Sequence, residues 1–179
     1  MTAQESDARP RPARGAGLGD ILNRTGILLA YAGGLVVAGV GVMSAVSIIG
    51  RSALRRPITG DFELVEIGIA VAGALFLPYC QATSGHIVVE FFTLRAGEWV
   101  RTSLDRFGAV LMAAMFLMVA WRAGVGTLDL YRNGESSMLM RFPIWIGYAL
   151  TIPGLIVAGL IALAQGVGVK VAEHVEPER

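Results

Sequence analysis

The chain has 179 residues, of which 54% are hydrophobic and only 16% charged, with a formal net charge of +1. Soluble domains carry about 25% charged residues, so these values favour a membrane protein over an ordinary soluble globule, and near-neutrality leaves no basic footprint of a nucleic-acid binder. The single cysteine, Cys80, excludes an intrachain disulfide and a cysteine-built metal cluster; within an apolar run it reads as a small buried hydrophobe.

Residues 1–24 are rich in Pro, Arg, Ala and Gly and show no hydrophobic period, which predicts a disordered tail. Apolar windows follow at about 27–49, 64–82, 108–127 and 144–168. The first contains no charge. It exceeds the apolar core of a signal peptide, about 7–15 residues, so it reads as an uncleaved span. At a rise of 1.5 Å per residue it would reach roughly 35 Å, enough to cross the hydrocarbon layer. The second carries Glu66 in its first turn, and the third carries Arg122 toward its end. The fourth is uncharged, with Pro153 inside it as a candidate kink. A soluble four-helix bundle would place polar residues at every third or fourth position. These windows do not, which predicts an all-α membrane protein. Its four transmembrane helices would occupy residues 25–169, followed by a short tail at 170–179.

The connection "HIVVEFFTLRAGEWVRTSLDR", residues 86–106, spaces Val88, Phe91, Phe92, Leu94, Trp99, Val100 and Leu104 among charges. That suggests one or two helices lying in the membrane interface between the second and third spans; a loop with ordinary apolar residues is the alternative. Arg9, Arg11, Arg14, Arg24, Arg95, Arg101, Arg106, Lys170 and Arg179 fall on one side of the four spans. Arg51, Arg55, Arg56, Arg122, Arg132 and Arg141 fall on the other. The positive-inside rule therefore places both termini in the cytoplasm. Tyr31, Trp99, Trp145 and Tyr148 lie near span ends, as interfacial anchors do.

The charged residues are candidates for structure before chemistry. Asp61 is a candidate N-cap of the second span, with Glu63 and Glu66 in its first turn, where anions meet unpaired N–H groups and the helix dipole. Arg51, Arg55 and Arg56, just across the connection, are natural counterions. A proton relay or cation site is the functional alternative. His86 and His174 both lie outside the spans, where they cannot sandwich a haem within the bundle. No ligand set has zinc-like spacing, and no hydrolase or phosphate-loop motif occurs, so no cofactor is expected. Arg122 can snorkel to the interface, with Asp129 as a pairing candidate on the same face. Small residues recur four apart at Gly34/Ala38, Gly41/Ala45, Ala70/Ala74 and Gly154/Ala158, a pattern that permits close helix contact. Pro143 suits a first helical turn.

Read together, these features resemble a known family. The first span ends in Arg51; Pro57 and "GDFELVE" lead into a span that closes on "SGHIVVEFF"; after a third span comes "GESSMLMRFPIWIGYALTIPG". Over residues 25 to 165 this order resembles the small, Q-type (DctQ-like) membrane subunit of tripartite ATP-independent periplasmic (TRAP) transporters. One departure is "QATSG", residues 81–85, where many members carry basic residues. The resemblance implies a scaffold subunit rather than an enzyme. It would sit in the bacterial inner membrane, packed beside a large (M-type) membrane subunit that carries out sodium-driven uptake of an organic acid. A periplasmic substrate-binding protein would deliver that acid. No catalytic, substrate or metal residue of the family carries over to this chain. Arg51, Glu63, Glu66, His86, Arg122, Pro143 and Trp145 are the structural or partner-contact candidates. The competing readings are a membrane subunit of a redox or other four-span enzyme complex, and a self-sufficient small transporter.

Overall fold

The structure, a computed structural model, describes residues 17–54, 60–83 and 98–169. It contains α1 (Leu18–Leu54), α2 (Asp61–Thr83), α3 (Glu98–Asn133) and α4 (Trp145–Gly166). Each includes a stretch long and apolar enough to cross a membrane. Among the described residues the only strand-like feature is an isolated antiparallel bridge between Ser136 and Pro143.

Two helices outrun their apolar windows. α1 opens at Leu18, so residues 18–24, expected in a disordered tail, are helical, and the Gly17 carbonyl accepts the Ile21 N–H at 3.2 Å. Asp20 and Arg24 lie exposed on this first part. Hydropathy marks where a helix needs lipid, not where its hydrogen bonds begin. At 37 residues α1 is roughly 55 Å long, well beyond the hydrocarbon thickness of about 30 Å. α3 likewise begins at Glu98 and runs unbroken into the third span, so residues 98–106 belong to that helix rather than to a separate interfacial one. The rest of the expected interfacial segment, with His86, and also His174, lie outside the described residues.

The four helices form an open layer. α2 and α4 pack against each other at its centre. α1 lies on α2 and also touches α4, while α3 rests on α4 alone. Among the described residues, no Cα of α3 comes within 8 Å of α1 or α2, so the ring of a closed bundle is missing a side. The buried residues are mainly small: Ala72, Ala74 and Ala82 of α2, Ala109, Ala113 and Ala120 of α3, Ala158, Ala162 and Ala164 of α4. In lipid the hydrophobic effect does not drive helices together, so stabilisation must come from such close packing. Gly154 shows how close: a Cβ there would collide with the backbone carbonyl of Ala74. At Gly33 a Cβ would press on Leu75 Cβ at 3.2 Å and the Ala72 carbonyl at 3.3 Å.

The expected small-residue faces divide accordingly. Gly154 and Ala158 are buried, and Ala74 faces α4 while Ala70 is exposed. On α1, Gly34, Ala38, Gly41 and Ala45 all point away from the other helices, and nothing lies within 4 Å of a Cβ built at Gly34 or Gly41. Cys80, expected to be buried, is exposed, because Pro78, Gln81 and Ala82 take the inward face of that turn. α4 continues through Pro153, which is exposed.

Candidate functional site

The chemistry-bearing residues gather at the end of the layer where α1 and α3 finish and α2 and α4 start. Gly60 begins the arrangement. Its φ of +82° is left-handed backbone, and a Cβ there would collide with the Met140 side chain. Only glycine meets both demands without strain. Its carbonyl accepts the Leu64 N–H at 3.3 Å, so Gly60, not Asp61, holds the cap position of α2.

Asp61 instead ties α2 back to α1. Its Oδ2 accepts the Ser47 hydroxyl at 2.6 Å and the Arg51 guanidinium at 3.3 Å, and its Oδ1 accepts the Phe62 N–H at 2.9 Å. Ser47 is almost fully buried, so its hydroxyl needs this partner. Arg51 therefore pairs with Asp61 rather than with Glu63 or Glu66. Arg55 and Arg56, expected to share that role, lie outside the described residues.

Glu63 turns to the α3–α4 loop. It accepts the Ser137 hydroxyl, the Leu139 N–H at 3.1 Å and the Met140 N–H at 3.3 Å. The loop itself is a tight turn: the Ser137 N–H reaches the Phe142 carbonyl at 2.8 Å and the Arg141 N–H reaches the Ser137 carbonyl at 3.1 Å. Arg141 takes a φ of +53°, uncommon for a side chain other than Gly, Asn or Asp. The turn leaves Met138 fully in the open, at 96% exposure, with Leu139 and Met140 beside it. An acid expected to neutralise arginines is thus the clasp of a loop 74 residues away.

Glu66, one turn further along α2, does not join that clasp. It lines an open groove of about 740 Å³ between α2 and α3, floored by Gly147, Tyr148, Thr151 and Leu155 of α4. Glu135 and Met138 stand at its loop end. Arg122 is exposed on α3 and makes no ion pair with Asp129, seven positions along the same helix. Pro143 precedes α4 instead of lying in its first turn, and its carbonyl accepts the Ile146 N–H at 3.2 Å. Trp145 opens α4 and meets Tyr131 of α3 edge-on, with ring centroids 5.4 Å apart. His86 has no described position.

At the opposite end, Gln81 and Gln165 join α2 to α4. The Gln81 side-chain amide donates to Gln165 Oε1 and the Gln165 side-chain amide donates to the backbone carbonyl of Gln81, each at 2.9 Å. The sequence offered a signal for this pair, since each glutamine closes an apolar window, but nothing in the chain couples positions 84 residues apart. Ser47 was visible only as an isolated polar residue in the first span.

Among the described residues no group of three or more His, Cys, Asp or Glu side chains is arranged to hold a metal ion. The family model for "Tripartite ATP-independent periplasmic transporters, DctQ component" matches residues 25–170. That range takes in α2, α3 and α4 and all of α1 beyond Arg24. No curated protein and no solved structure matches the chain.

Proposed function

The chain belongs to the DctQ component family of the tripartite ATP-independent periplasmic transporters, and from that premise we propose that it is the transporter's small scaffold subunit. It stands beside a large membrane subunit that takes up an organic acid with sodium, and a periplasmic binding protein delivers that acid. It lies in the bacterial inner membrane with both termini in the cytoplasm, the orientation favoured by its arginines and lysines. The clasped loop end then faces the periplasm.

The open layer is the observation that carries the reading. A self-contained transporter would enclose polar or broken helix segments at mid-membrane. Here α1 and α3 flank the pair α2 and α4 without closing on each other, and the smooth Gly34–Ala38–Gly41–Ala45 face of α1 points outward. Small residues facing outward suit the approach of another helix better than contact with lipid tails. Glu63, Asp61 and Arg51 hold helix ends and a loop, which is work for a scaffold.

The test is co-purification. An affinity-tagged chain, co-expressed with the large membrane subunit and extracted in mild detergent, should bring that subunit down as a stable complex. Quantitative separation of the two, with each monodisperse alone, would refute the scaffold reading.

A further inference from the structure

We infer that the groove between α2 and α3 receives an apolar helix of the large membrane subunit that carries a lysine or arginine, held by Glu66 and Glu135. This rests on the scaffold reading above and adds to it a docking surface and the chemistry of what fills it.

Shape is the first ground. The groove exists because, among the described residues, α3 packs on α4 and on no other helix, which leaves the place of a neighbouring helix vacant beside α2. Its walls present small side chains, Ala70 on α2 and Ala123 on α3, and Gly147 lies in its floor. A helix about 10 Å across rises about 5.4 Å per turn, so about 740 Å³ would take roughly two turns of one.

Charge is the second ground. Among the described residues the lining includes three carboxylates and no lysine or arginine. Glu63 is committed to the loop, whereas the side-chain carboxylates of Glu66 and Glu135 have no hydrogen-bond or ion-pair partner among the described residues. Glu66 sits roughly 7–8 Å along α2 from Asp61, inside a helix of membrane-spanning length and apolarity, where an unpaired carboxylate is unfavourable without a cation. A basic side chain on an incoming helix supplies it. A phospholipid fits less well: its acyl chains match the floor, but its phosphate would meet two carboxylates and no basic group.

The experiment uses the full chain co-expressed with the large subunit. A benzophenone-bearing residue is placed at Ala70 or Ala123, and complexes are irradiated in native membranes. The expected result is a covalent adduct with the large subunit, whose mass-mapped peptide lies in an apolar helix containing lysine or arginine. In parallel, Glu66→Lys combined with Glu135→Lys should lower recovery of the large subunit by roughly tenfold, as reversal of desolvated charges at an interface does. Glu66→Gln should lower it less. The monodispersity and heat stability of the chain alone should be unchanged, since neither carboxylate holds another described residue. Reversing the mapped basic residue to Glu should restore recovery with Glu66→Lys. Adducts only with phospholipid, or recovery undiminished by the double reversal, would overturn the groove assignment and leave the scaffold reading standing. Failure of the unsubstituted chain to associate at all would overturn both.

Discussion

Glu63 and Glu66 share a helix face, one turn apart, and end in different roles. A carboxylate has two oxygens and about four lone-pair sites, and Glu63 uses them for one hydroxyl and two backbone N–H groups. A glutamine amide keeps one acceptor oxygen and turns the other side of the group into a donor facing donors. Glu63→Gln should therefore lower the Tm of the purified chain in detergent by a few degrees and speed proteolysis within residues 134–144. Ser137→Ala should do the same to a smaller degree. Because both act on one clasp, their combination should cost less than the sum of the two. Full additivity, or no change in either readout, would separate Glu63 from the loop. Only half of this was legible in the sequence. An acid in a first helical turn announces itself by its position, but its partners are a serine and two backbone groups far along the chain. No local pattern points to them. Cys80 misled for a related reason: hydrophobicity marks a residue as shielded from water, and in lipid that does not distinguish a helix contact from an outward face.

Whole helices were easier to read than their contacts. The four spans follow from apolar runs, because backbone groups in hydrocarbon must be satisfied within the helix. The true starts of α1 and α3 did not follow, since charged residues such as Asp20, Arg24 and Asp105 are compatible with helix outside the lipid. Nor could repeated small residues reveal which stripe is buried: Gly154 meets Ala74, while Gly34 meets nothing. That contrast is testable. Gly154→Ala should destabilise the purified chain by about 1–3 kcal/mol, because its methyl group lands on backbone that can yield only by moving α2 from α4. Gly34→Ala should leave the stability of the chain alone unchanged, as measured by thermal unfolding in the same detergent. Equal effects at the two positions would contradict the packing of α2 on α4. At the far end of the same helix pair, Gln81→Leu removes the amide donor to Gln165 Oε1 and leaves the backbone carbonyl that the Gln165 amide meets. A loss of about 1 kcal/mol is expected, the scale of interhelical hydrogen bonds in membranes. A Gln165→Leu and Gln81→Leu double-mutant cycle should return most of that as coupling.

At the scale of the whole molecule, the open layer and the proposed orientation together define what the chain presents to its surroundings. With both termini cytoplasmic, a single cysteine at Asn133, in a Cys80→Ser background, should react with a membrane-impermeant maleimide added from the periplasmic side. One at Gly17 should react only after the membrane is opened, and the reverse pattern would invert the orientation. Architecture of this kind was legible only as far as the number of spans. Their arrangement depends on which small residues meet, and that is settled in three dimensions. The central claim is that the chain supports transport but does not perform it. Its most direct test is sodium-driven uptake of a labelled organic acid into proteoliposomes holding this chain, the large subunit and the binding protein in every combination. The account predicts no uptake above protein-free vesicles with this chain alone or with the binding protein added, and full uptake only when all three are present. Sodium-dependent uptake by this chain alone would contradict it.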